Sequence, residues 1–399
     1  VSTAEELRAA LVAVLTESGS LTADWVPSVA AVPRHVFLPE TIWADEEGGD
    51  TECRRDKDPE RWLRLAYADV PIVTQWDDGA EDGEHTVPTS SASMPTMVVE
   101  MLADLDTEPG HRVLEIGTGT GYNAALLTHR LGAEMVSTVE VDPGVTSAAR
   151  TALHGAGFAP EVVCGDGSLG WPVAAPYDRL ISTVSLRTIP PAWLAQTRPG
   201  GVVVSPVSPL LGGGAIVRLR VGDDGTASGR FTRSSAFMLL RQQRYDGAPV
   251  DDYLPGEWPG DSEQSWTKVD PEVIGDEWPG DSEQSWTKVD PEVIGDDWLS
   301  LFACALALPD VYYRRNDYGE GRTWWLFDTA ATSWATVDSV PGESRFEVRQ
   351  SGPRRLWDEM EAAHNRWTAA GRPGYDRYGL TVTPGGQTAW LDDPGNVLR

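Results

Sequence analysis

The sequence predicts an α/β protein whose centre is a doubly wound, mostly parallel sheet covered by helices on both faces. Three observations carry this. Between residues 94 and 206, short β-rich runs alternate with apolar stretches at helical spacing. A glycine turn, Gly117-Thr-Gly-Thr-Gly121, stands between the first of these runs and the helix after it. Residues 87–245 are also nearly neutral, with 13 acids against 12 bases, in a chain of 399 residues whose formal charge is −29.

Each element follows in order. Met94–Leu105 has apolar residues at helical spacing, and His111–Ile116 is a β-rich run that ends at the glycine turn. Tyr122–Leu131 reads as a helix, Met135–Val141 as a strand, and Pro143 opens a helix that runs to His154. Strands at Glu161–Cys164, Tyr177–Val184 and Gly201–Pro206 follow, with a short helix at Pro190–Gln196 between the last two. Ala215–Val221 and Gly229–Leu240 have no helix between them, which predicts an antiparallel hairpin at the sheet edge.

The flanks carry the charge. Residues 1–86 hold 19 acids and 7 bases, residues 246–399 hold 29 and 13, and 11 of the 17 tryptophans lie beyond residue 250. Boundaries near 86 and 246 follow. So acidic a chain has no basic surface for a nucleic-acid backbone. The longest uncharged run, Pro199–Val217, is broken by three prolines and five glycines, so no membrane helix is expected. The start, Val1–Glu6, is acidic and unlike a secretory leader. Cys53, Cys164 and Cys304 are far apart and the six histidines lack ligand spacing, so a cytoplasmic, metal-free protein is expected.

Glu257–Asp276 and Glu277–Asp296 are identical over 20 residues, each with six acids and one lysine. Two copies are too few to stack as a solenoid, and a recent duplication or an assembly artefact outweighs a tandem peptide-binding element. Trp324, Trp325, Trp334, Trp357 and Trp367 read as core in preference to a ligand cage, and His35 and Cys164 as packing residues.

Ligands of doubly wound sheets bind at the carboxyl ends of the strands. Three features meet there. The run Glu115-Ile-Gly-Thr-Gly-Thr-Gly121 brings Gly117, Thr118, Gly119 and Gly121 to a helix N-terminus, where backbone N–H groups can approach a ligand. Glu140 ends the next strand, where a carboxylate can accept both hydroxyls of a ribose. Asp166 and Gly167 follow the third strand and could border an adenine. Tyr122 stands where a dinucleotide fingerprint wants its third glycine, so the spacing suits a single nucleoside, and the absence of Gly-Lys-Ser/Thr excludes a Walker loop.

With these residues stand Val32-Pro-Arg-His-Val-Phe-Leu-Pro39, Ser91-Ala-Ser-Met-Pro95, Arg112–Tyr122, Thr138-Val-Glu-Val141, Gly165–Pro172, Ala175-Pro-Tyr-Asp178 and Arg198-Pro-Gly-Gly201. In that order they resemble the protein-L-isoaspartate O-methyltransferase family of class I S-adenosylmethionine-dependent methyltransferases, over roughly residues 27–245. The resemblance implies a Rossmann-like core at 87–245 under an N-terminal helical cap with charged insertions at 1–86. An acidic linker at 246–300 and an extra C-terminal α+β domain at 301–399, serving substrate recognition, would complete the chain. It also implies S-adenosyl-L-methionine as cofactor, held by Glu115, Gly117, Thr118, Gly119, Gly121, Glu140, Asp166 and Gly167. Ser93 would contact the acceptor carboxylate, with Thr89 and Ser91 as substrate-binding neighbours. The same Ser/Thr run before Pro95 also suits a helix cap, and both roles can hold.

About 150 C-terminal residues depart from the repair enzymes. They resemble, chiefly in Tyr378–Asp392, a branch that tailors ribosomally made peptides such as graspetides. That second resemblance implies an enzyme methylating an aspartate of a cyclised precursor peptide, the ester then closing to an aspartimide. Repair of isoaspartyl proteins is the alternative, and a non-catalytic peptide-binding module the alternative of another class. Methyl transfer to a carboxylate needs no general base, because the nucleophile is already anionic; it needs donor and acceptor held in line.

Overall fold

Thr3 starts the first helix, α1 (Ala4–Glu17), through a reciprocal pair of hydrogen bonds with Glu6, so that two otherwise orphaned donors are satisfied. The computed structural model describes residues 2–46, 48–80, 85–245, 247–248, 250–253, 282–318 and 321–398. After α2 (Val26–Ala31) the chain forms a hairpin of β1 (Thr41–Glu46) and β2 (Gly49–Arg54), with Ile42 opposite Cys53 and both buried. Helix α3 (Pro59–Ala66), capped by Asp58, leads to β3 (Ile72–Trp76) and β4 (Pro88–Ala92). These strands make a four-stranded antiparallel sheet in the order β2-β1-β3-β4. The region expected as a helical cap is therefore α+β. Its strands escape the sequence pattern because acids occupy the outward positions while Ile42 and Ala44 alternate inward. It also extends past residue 86, since β4 belongs to its sheet.

The core runs α4 (Pro95–Leu105), β5 (Val113–Ile116), α5 (Tyr122–Leu131), β6 (Val136–Glu140), α6 (Pro143–Gly155), β7 (Glu161–Cys164), β8 (Tyr177–Ser182), α7 (Pro191–Gln196) and β9 (Thr197–Val207). β7-β6-β5-β8-β9 are parallel neighbours, and the chain order reverses beside β5. Adjacent residues of β5 point into different cores: Val113 belongs to the cluster that holds Leu15, Leu102 and Leu127, and Leu114 to the one that holds Trp193 and Phe302. Burial on both faces is why this strand reads as an apolar run.

β10 (Ala215–Val221) and β11 (Ala227–Ser234) form the expected antiparallel hairpin, but not at the edge. β17 (Tyr378–Thr383) pairs with β11, and β18 (Gly386–Leu391) completes a nine-stranded sheet. The C-terminal run thus covers an edge that β11 would otherwise leave open.

Before it come α8 (Val250–Tyr253), β12 (Glu283–Thr287), α9 (Pro291–Gly295), α10 (Trp298–Ala307), β13 (Val311–Tyr318), β14 (Gly321–Asp328), β15 (Trp334–Ser339), β16 (Phe346–Ser351) and α11 (Leu356–Ala369). Strands β12-β16-β15-β14-β13 make a third, antiparallel sheet. Trp324, Trp325, Trp334, Trp357 and Trp367 are all buried, as core residues. Cys164, expected to pack, is exposed; His35 is half-buried, with Nδ1 2.7 Å from the Tyr67 hydroxyl. Phe302 of α10 docks edge-on against Phe231 of β11, at 5.0 Å between ring centres.

The first copy of the repeat and residues 277–281 lie outside the described residues. The rest of the second copy is not linker. It supplies β12 and α9, with Ile294 fully buried, Glu292 paired to Arg322 at 2.9 Å, and Asp290 accepting from Ser339 at 2.8 Å. Removing either copy yields the same sequence, so a protein lacking residues 257–276 keeps every one of these groups. Its Tm is expected to stay within about 2 °C of the full chain. Ile294→Ala, which opens a cavity, is expected to cost about 2–5 kcal/mol. A fall in Tm on deletion as large as that of Ile294→Ala would contradict the assignment.

Candidate functional site

Gly117 leaves β5 with φ of +90°, and a Cβ there would stand 2.8 Å from both Thr183 Oγ1 and Val184 Cγ1 beyond β8. Only glycine fits this approach at the point where the strand order reverses. The turn is held by Gly117 N donating to Val139 O at 2.8 Å and Gly121 N to Thr118 O at 2.9 Å. Gly121 plays a different part from the one expected. It precedes α5 with φ of +94°, does not border the cleft, and lets α5 approach Leu153 and Ala149 of α6.

Beneath the turn lies Glu115, fully buried. Its Oε1 accepts from Asn123 Nδ2 at 2.7 Å and its Oε2 from Thr138 Oγ1 at 2.6 Å, while Thr138 and Thr118 hydroxyls pair at 2.6 Å. Burial pushes the carboxyl up to about 7 against the pull of these two donors. Glu115 therefore braces the turn from below, through Thr138 and Thr118.

Glu140 closes the other side. Its Oε2 accepts from Gly119 N at 3.0 Å and its Oε1 from Asp142 N at 3.1 Å. A carboxylate has about four acceptor positions, so capacity remains for two ribose hydroxyls. Gly167 borders the same cleft, with Ile116, Thr118 and Val139 to Val141. Asp166 does not: its Oδ1 accepts from Ser168 N at 2.8 Å and caps the short turn that follows. A nucleoside with an attached sulfonium fits this donor and acceptor set, which offers carboxylate oxygens on one side and backbone N–H groups at a helix start on the other.

The sequence reading missed the roof. Asp142 caps α6 by accepting from Gly144 N and Val145 N, while its second oxygen takes Gln75 Nε2 at 3.3 Å and Arg241 Nη2 at 2.9 Å. Burial works to raise this carboxyl, but the bonds from Val145, Arg241 and Gln75 outweigh it and hold it below the ordinary range. Arg241 and Arg244 both reach Asp78, Arg244 with two contacts of 2.7 and 3.1 Å. Asp77 and Asp78 have positive φ, a strained backbone that these pairs and the Asp77–Thr86 bonds hold in place. An Asp before Pro143 is a readable N-cap signal; Arg241 and Arg244 have no local pattern.

Of the residues expected to meet the acceptor, Thr89 is engaged, donating to Gln75 Oε1 at 2.9 Å and accepting from Asp78 N at 3.1 Å. The side chains of Ser91 and Ser93 make no hydrogen bond among the described residues. Both border two cavities, the nucleoside cleft and a second one of about 810 Å³. The helix-cap reading of this run fails: α4 starts after Met94 with no side-chain cap, and Asp69 instead binds Thr96 N at 2.8 Å and Thr96 Oγ1 at 2.6 Å. Among the described residues no group of His, Cys, Asp or Glu side chains could hold a metal, and no helix is long and apolar enough to cross a membrane.

A single-nucleoside cleft at the reversal point of a β7-β6-β5-β8-β9 sheet is the architecture of the Rossmann-like, class I methyltransferases. Comparison with known proteins narrows the class. Residues 54–244 match the family model of protein-L-isoaspartate(D-aspartate) O-methyltransferase (PCMT). A protein-L-isoaspartate O-methyltransferase of Methylorubrum extorquens is 33% identical over 228 residues, 57% of this chain and 85% of that protein. A second, from Polaromonas sp., is 32% identical over 243 residues, 60% of this chain and 99% of that protein. One from Ignicoccus hospitalis is 38% identical over 151 residues, 37% of this chain and 66% of its own length. The chain belongs to this family of S-adenosylmethionine-dependent protein carboxyl methyltransferases. A solved protein-L-isoaspartate O-methyltransferase is similar in fold, with a TM-score of 0.51 at 20% identity, over 97% of this chain and 100% of its own.

Glu115 gives the site a pH signature. The unfolded chain releases this proton near 4.5 and the folded one near 7. Its stabilising contribution is therefore complete below about pH 4.5 and is lost as the pH rises to about 7, roughly 3 kcal/mol in all. Glu115→Gln keeps both bonds, with its amide donating to Thr138, and has no proton to lose. Urea unfolding of the two proteins is expected to shift in favour of the variant by about 2–3 kcal/mol between pH 5 and pH 8. A difference that does not change with pH would contradict the buried, proton-holding Glu115.

Proposed function

We propose that the chain methylates the free carboxylate of an isoaspartyl residue in a protein or peptide, with S-adenosyl-L-methionine as donor. The observation that carries this is the pair of hydroxyls, Ser91 and Ser93, without side-chain partners among the described residues, on the wall shared by the nucleoside cleft and the larger cavity. Family membership supports it. When bound, the cofactor supplies an electrophilic methyl group: a carbon–oxygen bond to the acceptor carboxylate forms as the carbon–sulfur bond breaks, leaving a methyl ester and a neutral thioether.

The chain's own residues position. Glu140 and the Gly117–Gly121 turn hold the nucleoside, with Gly167 on the far side; Glu115 and Gly121 keep the turn in shape. Ser93, with Ser91 beside it, donates to the acceptor carboxylate and sets its oxygen in line. Gln75, Asp142 and Arg241 close the roof and exclude water. No side chain has to remove a proton, because the acceptor is ionised at neutral pH.

Peptide tailoring rested on a C-terminal region that repair enzymes were expected to lack. The family model and the curated relatives carry the isoaspartate name, which supports repair ahead of tailoring. The test is methyl incorporation from the cofactor into matched peptides. A linear isoaspartyl peptide is expected to be methylated in preference to its aspartyl isomer. Ser93→Ala is expected to lower kcat/KM about 10- to 100-fold, the worth of a hydrogen bond to a charged group, and to leave the cofactor Kd unchanged. Preference for a cyclised peptide with an ordinary aspartate would move the assignment to tailoring. A chain that binds no cofactor would point to a non-catalytic module.

A further inference from the structure

The cavity of about 810 Å³ beside the nucleoside cleft is lined by five separate stretches of chain, Arg187 and Ser208–Gly214 among them. Val73, Met94 and Met97 come from its N-terminal side, Phe237 from the segment after β11, and Trp298 from α10. Its volume is in the range of ligand-binding pockets, roughly 300–1,000 Å³. Among the described residues, Arg187 and Arg244 are the charged side chains on its wall and no carboxylate lines it, in a chain of net charge −29. Arg187 lies over the Tyr245 ring at 5.3 Å, and Arg244 is paired with Asp78. The wall is thus suited to an anionic group at the Ser91–Ser93 end and to apolar groups elsewhere.

Trp298 is the C-terminal region's contribution, and its placement is fixed. Asp297 caps α10 by accepting from Leu299 N at 2.9 Å and Ser300 N at 3.2 Å. Phe302, one turn on and on the same face, is locked into the core against Phe231, Tyr375 and Tyr378. Trp298 donates from Nε1 to Gly214 O at 3.4 Å, yet 44% of the residue stays exposed. A large ring held at that exposure on the wall of a substrate cavity is surface waiting to be covered.

We infer that Trp298 sets substrate specificity: the cavity takes a polypeptide whose acceptor carboxylate reaches Ser91 and Ser93 while an apolar side chain next to the acceptor residue packs on Trp298, Met97 and Phe237. This rests on the proposed methyl transfer and names its preferred substrate. The occupant is the substrate's flanking residue, because the cavity adjoins the proposed methyl-transfer site and shares Ser91, Ser93, Phe237, Met238, Leu239 and Arg244 with it.

The experiment uses the full chain and linear isoaspartyl peptides in which the residues on either side of the acceptor are leucine, glycine or glutamate. With kcat/KM as the reading, leucine is expected to exceed glycine by about 10-fold, from burial of its side chain, and glutamate to fall below glycine. Trp298→Ala is expected to remove most of the leucine advantage and to leave the glycine peptide and the cofactor Kd unchanged, while Trp298→Phe keeps most of it. Met97→Ala, in the lining of the same cavity, is expected to act in the same direction. Equal turnover of leucine and glycine peptides by the unaltered chain, or an equal loss for both in Trp298→Ala, overturns the inference and leaves methyl transfer standing. Methylation of no isoaspartyl peptide overturns the proposed function and this inference with it.

Discussion

The guanidinium of Arg34 is fully buried and holds together the parts of the chain that meet at the proposed acceptor site. It donates to Ala66 O at 2.7 Å, Val70 O at 3.5 Å, Ala92 O at 3.3 Å and Ser93 O at 3.0 Å. These carbonyls belong to the end of α3, the loop before β3, the end of β4 and the corner before α4. Burial draws its ionisation down to about 10, so it is still charged at neutral pH. A buried cation that is answered by carbonyls is costly to disturb, because the buried carbonyls of Ala66 and Ala92 would each lose a donor with it. The backbone from Ala92 to Ser93 is therefore pinned from behind, and the Ser93 hydroxyl is left facing the cavity.

Two braces of different kinds thus frame one reaction space. The nucleoside side depends on Glu115 and Glu140 acting through a glycine turn, and the acceptor side on Arg34 acting through a corner of the N-terminal sheet. The roof from Gln75 to Arg241 joins them. Such a division suits a displacement that needs alignment more than acid–base chemistry. The large negative charge lies mostly in the flanking regions, and among the described residues the proposed substrate cavity presents only arginine charge.

Much of the central sheet was legible because its strands are buried on both faces and its turns carry glycine and proline. Val113–Ile116, Tyr122–Leu131, Glu161–Cys164 and Ala215–Val221 fall where the pattern put them or within two residues. The N-terminal sheet was hidden, since Asp45 and Glu52 point outward from strands whose inward residues are few. β17 and β18 could not be assigned to the core sheet, because pairing between residues 227–230 and 379–382 is a long-range fact with no local trace. The site was legible where chemistry is local: Gly117, Gly119 and Glu140 border the cleft as expected. Asp166 and Gly121 lie outside its lining: one carboxylate oxygen of Asp166 is held by the turn that follows, and Gly121 gives its freedom to helix packing. Arg241, Arg244 and Trp298 reach the site only through tertiary folding.

The central claim is that the acceptor wall is positioned separately from the cofactor wall, and Arg34→Lys addresses it most directly. Lysine keeps the charge but cannot span four carbonyls. With Tm as a control for folding, the account requires kcat/KM for an isoaspartyl peptide to fall by about 10-fold or more while the cofactor Kd stays within about twofold. A variant that folds and keeps its kcat/KM, or one that loses cofactor affinity in step with activity, would contradict it.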